Sequence, residues 1–159
     1  MTKYLAVAEK YIGLKEVPGK ANNPTIVNWL VGLNAWWTDD LTPWCGTFIA
    51  HCLVESDINP PKAWYRAKSY LDWGVPIVNP EYGCIVVFTR TGGGHVGIVV
   101  GQDERGRLLV LGGNQGDAVT IAPFDRARVS GYRLPPNGIP TYAKLPVIKS
   151  NAKSSSNEA

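Results

Sequence analysis

The chain of 159 residues is the size of one ordinary domain, and its 45% hydrophobic and 18% charged residues describe a globular protein with a core of its own. A net charge of +3 is mild, and no basic block is interleaved with aromatics, so nucleic acid is not an expected partner. Cys45, Cys52 and Cys84 are an odd number without CxxC spacing, which suggests neither a disulfide framework nor a zinc site, and no run approaches the roughly 18 apolar residues of a membrane helix.

From the N-terminus, Leu5, Ala8 and Ile12, with Tyr4 and Tyr11, recur at three- and four-residue spacing and predict an amphipathic helix that stops at Gly13 or before Pro18. Lys3, Glu9 and Lys10 interrupt this run, which excludes the apolar core of a secretory signal and leads us to expect synthesis and folding in a cytoplasm. After the turn chemistry of EVPGKANNP, a second helix is expected from Pro24 to about Leu33, followed by a connection bearing Trp36 and Trp37. Thr42 reads as an N-cap and Pro43 as a first helical residue, which places Cys45 in the first turn of a helix carrying Phe48, Ile49, Cys52 and Leu53 inward. A short helix near Trp64 to Trp73 should end at Gly74.

From Tyr82 onward the period changes. CIVVF, HVGIVVG and RLLVLGG are short aliphatic runs separated by Gly-rich or charged turns and predict adjacent antiparallel strands, with VTIAPF and VSGYRLP as two more. Helices first and sheet second predict an α+β domain over residues 1–140, and residues 141–159 read as a partly disordered tail, most of all NAKSSSNEA.

A thiol nucleophile needs a base, and a group that orients the base. Only His51 and His95 are available. His51 follows Cys45 by six residues on one helix, an offset of roughly 600° that points it away, and it reads as a solvated helix residue. His95 opens a strand after TGGG and is either a base or a polar strand-end residue facing water. Cys52 and Cys84 sit among aliphatics and read as structural. Cys45 alone combines a helix start, whose free N–H groups favour a thiolate, with a small neighbour in Gly46 that leaves room for a substrate. Asn114, closing the strand after that of His95, is placed to orient the imidazole; Gln115 would alternate to the opposite face if the strand continued, Asp117 lies further into the turn, and GGNQGD is equally a plain loop.

WCGTF, CIVVF followed by GGGHVGIVVG, and LVLGGNQGDAV, in that order, resemble the signatures of CHAP and NlpC/P60 type cysteine peptidases. The likeness is greatest to a subgroup common in bacteriophages and bacteria, in which GLKEVPG, the NNP turn, DDLTPWCGTF and RAKSYLDWG are also recognisable; it runs from about Leu5 to Pro135. It implies a papain-like α+β fold, N-terminal helices packed on a central antiparallel sheet, with Cys45 as nucleophile, His95 as general base and Asn114 as orienting residue, at a position where the family varies between His, Asn, Gln and acidic residues. One departure is that the strand usually opening GDIVVF here opens GCIVVF, with Cys84 at the acidic position.

The implied substrate is peptidoglycan, cut within the stem peptide or at its amide link to the glycan, with no metal or organic cofactor. Trp44, Gly46, Trp36 and Trp37 are the expected substrate-binding residues. A monomeric endolysin-type hydrolase without membrane insertion, acting on the cell wall or periplasm after release, is the expectation. The alternatives are a secreted antibacterial amidase toxin of the same chemistry, and a non-catalytic module that binds peptidoglycan or serves as a structural part of a virion.

Overall fold

The computed structural model describes residues 2–17, 22–40, 42–149 and 155. Three helices precede the sheet: α1 (Lys3–Glu9), α2 (Pro24–Gly32) and α3 (Cys45–Val54). Six strands follow, β1 (Val75–Ile77), β2 (Ile85–Arg90), β3 (Gly93–Gln102), β4 (Leu108–Gly112), β5 (Thr120–Phe124) and β6 (Val129–Leu134), with a 3-10 helix over Ala67–Asp72. They form one antiparallel sheet in the order β1-β6-β2-β3-β4-β5. The expected α+β class is the one observed.

Local chemistry accounts for the helix starts. The Asn23 side chain accepts from the N–H groups of Thr25 and Ile26 at 2.8 and 3.4 Å, with Pro24 at the first helical position where its missing N–H costs nothing. The Thr2 hydroxyl accepts from Leu5 N–H at 3.3 Å, and α1 ends at Glu9, earlier than its apolar spacing predicts, because the chain turns through Gly13 at φ 100°. At α3 the predicted cap is displaced. Thr42 turns its N–H and hydroxyl to Asp39 Oδ1 at 2.7 and 2.8 Å, the helix begins at Cys45 rather than Pro43, and Trp44 stands at the N-cap without a capping side chain.

The alternating residues of the strands build two cores. On the helix side, Val87, Val96, Ile98, Leu109 and Leu111 meet Tyr4, Leu5, Ile26, Phe48 and Ile49. On the opposite face, Val86, Phe88, Val99, Val110 and Phe124 enclose a second cluster that Leu145 completes. Because α3 is buried along eight of its ten residues, it is held from several sides and its first turn is fixed relative to β3.

β1 was absent from the strands expected from sequence. A run of only three residues, with proline in the middle, is an edge strand without a periodic signature, and it pairs solely with β6. The segment after β6 is partly seated on the sheet: Gln102 N–H donates to Pro146 O and Ile148 N–H to Gln102 O at 2.9 and 2.8 Å, and Glu81 accepts from the N–H groups of Thr141 and Tyr142. Apart from residue 155, the segment NAKSSSNEA lies outside the described residues. Among the described residues no helix is long and apolar enough to cross a membrane.

Candidate active site

Cys45 is the first residue of α3, and its side chain meets the sheet at β3. The backbones of Val96, Gly46 and Cys45 itself lie close enough to the thiol to favour negative charge on Sγ. The uncapped helix start thus leaves its first donors near the thiol. Burial nevertheless pushes the Cys45 thiol above its ordinary value, with these backbone groups and the charge of Arg90 opposing that rise. Sequence position alone predicts an exposed, activated thiolate; the fold adds the desolvation that outweighs the dipole. Cys52 and Cys84 are wholly buried, Cys84 pushed up to about 12 and Cys52 further still.

His95 is fully buried on β3, opposite Phe88 on β2. It is therefore not a strand-end residue facing water. Its ring stacks on Phe124 at 5.4 Å and on Phe88 at 6.2 Å, and so belongs to the sheet face opposite α3. What joins the two sides is a gap in the sheet. Pairing of β3 with β4 begins only at Ile98↔Leu111, so among the described residues the backbone beside His95 has no partner strand on that flank, and the Val96 backbone is close enough to the Cys45 thiol to favour its charged form. Gly112 leaves room for Gln115 to reach His95, since a Cβ there would lie 2.3 Å from Gln115 Oε1 and 3.2 Å from His95 Nε2.

The group that holds His95 is Gln115. Its Oε1 lies 2.9 Å from His95 Nε2, while its Nε2 donates to Val110 O, Thr120 O and Thr120 Oγ1 at 3.2, 2.9 and 3.1 Å. With the amide nitrogen committed to three acceptors, the oxygen must face the imidazole; Nε2 therefore carries the proton and Nδ1 the lone pair. Asn114, the expected orienting residue, does not make this contact. Its side-chain amide is buried with neither oxygen nor nitrogen hydrogen-bonded among the described residues. The reason is that β4 ends at Gly112: Asn114, Gly116 and Asp117 all have φ near +60°, so strand alternation no longer assigns faces and Gln115 turns inward. The loop is braced by residues 13–16 of the GLKE segment, through Gly13 N–H to Val119 O, Glu16 N–H to Asp117 O and Val119 N–H to Leu14 O.

The expected substrate-binding residues divide. Trp44 is 1% exposed and donates from Nε1 to Glu16 Oε1 at 2.7 Å, so it is a core residue rather than a groove wall. Gly46 leaves no room for a substrate either: a Cβ there would lie 2.3 Å from Trp64 O, and Gly46 O accepts from the Tyr70 hydroxyl at 2.9 Å. Trp36, 91% exposed, and Trp37 head an aromatic row, Trp36 on Trp37 at 5.2 Å, Trp37 on Trp64 at 5.8 Å and on Tyr65 at 5.7 Å. Tyr65 in turn lines a cleft of about 370 Å³ that has Cys45 in its wall, together with Arg66, Lys68 and Arg90. Arg66 and Lys68 belong to the RAKSYLDWG motif and Arg90 ends β2, and the fold brings these two separate segments to the thiol. His51 is half-buried, stacked on Trp29 at 5.2 Å with Tyr11 Oη 3.2 Å from its Nε2, and not a plain solvated residue.

The described residues thus form an α+β domain in which a buried helix-start thiol is set against a histidine-bearing antiparallel sheet. Residues 37–114, just under half of the chain, match the family model described as CHAP domain, and this match supports assignment to that family. No curated protein matches the chain. CHAP domains are typically hydrolases acting on peptidoglycan. The matched span contains Cys45, His95 and Asn114 and ends one residue before Gln115.

Proposed function

We propose that this chain is a peptidoglycan hydrolase of the endolysin type, cleaving an amide or peptide bond of the wall stem peptide with Cys45 as nucleophile and His95 as general base. The observation that carries this reading is the sheet gap: the Cys45 thiol lies beside the backbone of Val96, the residue next to His95, whose tautomer Gln115 fixes with the lone pair on Nδ1.

In the reaction the thiol proton passes to His95 Nδ1 and the thiolate attacks the carbonyl carbon. The first-turn N–H groups of α3, which already favour negative charge on sulfur, offset the charge that develops as the tetrahedral intermediate forms. Collapse expels the amine with the proton from His95, leaving an acyl-enzyme. His95 then takes a proton from water, whose oxygen attacks the thioester and restores the free thiol. Gln115 touches no reacting atom and acts as a positioning residue. Burial raises the Cys45 thiol, which makes the proton transfer to His95 a step of the catalytic cycle. The protein acts on the wall after release.

Addition of purified protein to sacculi tests the reading. Wild type releases soluble muropeptides, Cys45→Ala releases none, and mass spectrometry of the new termini identifies the bond. Equal release by the variant would remove the thiol mechanism, and no release by wild type would leave a non-catalytic wall-binding module.

A further inference from the structure

We propose that the cleft beside Cys45 is a carboxylate-recognition site, in which Arg66, Lys68 and Arg90 select peptides bearing a free carboxylate next to the scissile bond. This rests on the reading of the chain as a peptidoglycan hydrolase and specifies which form of the stem peptide it takes.

The cleft of about 370 Å³ has Cys45 in its wall, three cations and no acidic residue. Three of the 16 basic residues of the chain and none of its 13 acidic residues line this cleft, so its wall is locally cationic where the nucleophile lies. Arg66 and Lys68 are exposed and have no carboxylate partner among the described residues. Arg66 is laid over the Tyr65 ring, 5.8 Å from its centroid, which reduces the side-chain freedom that binding would otherwise remove. Arg90 stands close enough to Cys45 for its charge to act on the thiol.

Gly92, Gly93 and Gly94 also line the cleft, and Gly94 leaves space for the Lys68 stem. A Cβ at Gly93 would lie 3.9 Å from Arg90 Nε, and one at Gly94 would lie 3.1 Å from Lys68 Cγ and 3.0 Å from Phe88 O. A side chain at Gly94 would press on the Lys68 stem, whereas one at Gly93 would only touch the Arg90 guanidinium. Like charges gathered around a concave wall focus a positive potential, which an anionic group on the bound molecule relieves. On a wall stem peptide that group is a free carboxylate, and amidation removes it while leaving size and shape almost unchanged.

The test measures binding to the Cys45→Ala protein by calorimetry, using one synthetic stem peptide with free carboxylates and the same peptide amidated. The acidic form should bind about five- to twentyfold more tightly. That preference should shrink with added salt, and the double variant Arg66→Gln, Lys68→Gln should reduce it below about twofold without weakening the amidated peptide. Equal affinity for the two peptides, or binding of neither, overturns the proposal. Cleavage of the same peptides by wild type reads the hydrolase assignment separately. Preferential binding without cleavage would refute the hydrolase and support the cleft, whereas cleavage of both forms with equal kcat/KM would refute the cleft and support the hydrolase.

Discussion

Gln115 Oε1 lies 2.9 Å from His95 Nε2, and the same amide donates through its nitrogen to the carbonyl oxygens of Val110 and Thr120. One side chain therefore ties the imidazole of β3 to the backbones of β4 and β5, and sets which imidazole nitrogen is free to accept a proton. An acid in its place would direct a second oxygen at two carbonyls.

Removal of this contact should separate orientation from binding. Gln115→Ala is expected to lower kcat on a muropeptide substrate by about 10- to 100-fold with KM little changed, a part of what positioned acid–base catalysis contributes. Gln115→Glu should instead lose about 1–3 kcal/mol of stability in denaturant unfolding, since its carboxylate cannot donate to Val110 O or Thr120 O. Asn114→Gly, which accepts the φ of 60°, should stay within about threefold of wild type. Loss of activity in Asn114→Gly with retention in Gln115→Ala would return the orienting role to Asn114.

The three thiols should differ in reactivity. Cys45 borders the cleft, whereas Cys52 and Cys84 are wholly buried, so iodoacetamide followed by peptide mapping should find Cys45 modified first in the folded protein. Because burial raises the Cys45 thiol, its rate should keep increasing past about pH 9, where an ordinary thiol levels off. Arg90→Gln removes the charge that opposes the rise and should slow labelling at neutral pH. Uniform labelling of the three would contradict this arrangement.

Gly46 is a contact, not an opening. Gly46→Ala places a methyl group against the Trp64 carbonyl and should cost about 1–3 kcal/mol, measured by chemical denaturation. An unchanged midpoint would mean that this side of α3 has the space first expected for a substrate.

Alkaline pH should destabilise the fold. Cys52 and Cys84 have thiols raised in the folded chain, so above an unfolded thiol value of about 8.5 the unfolded state loses protons that the native state keeps. Fewer protons on the unfolded chain make stability fall as pH rises, and the buried Tyr4 and Tyr70, also raised, extend the fall above about pH 10. Urea midpoints should be level between pH 7 and 8 and decline from about pH 9. In Cys84→Ala the decline should be shallower, and an unchanged slope would show that this thiol titrates as freely folded as unfolded.

Trp36 tests whether the aromatic row belongs to the substrate path. At 91% exposure its replacement by Ala should change stability by no more than about 0.5 kcal/mol, while KM on sacculi rises if the wall strand lies along Trp36, Trp37 and Tyr65. An unchanged KM would confine binding to the cleft itself.

Much of this was legible in the residues themselves. The apolar runs that became β2 to β6, the Asn23-Pro24 helix start, and a cysteine at the opening of a buried helix all follow from periods and local hydrogen-bonding chemistry, which act within a few residues. Scarcity did the rest, since only two histidines are present and one shares a helix with Cys45. Only the tertiary structure decided the remainder. Gln115 replaced Asn114 at the imidazole because alternation ceases once β4 ends and three φ angles turn positive. Trp44 went to the core because Glu16, 28 residues away, accepts its indole N–H, and Gly46 was filled by a carbonyl from residue 64. Arg66, Lys68 and Arg90 met at the thiol through the docking of the 3-10 helix region on β2 and β3. Local sequence specifies what a backbone segment can do, whereas burial, desolvation and the meeting of distant charges depend on which surfaces pack together.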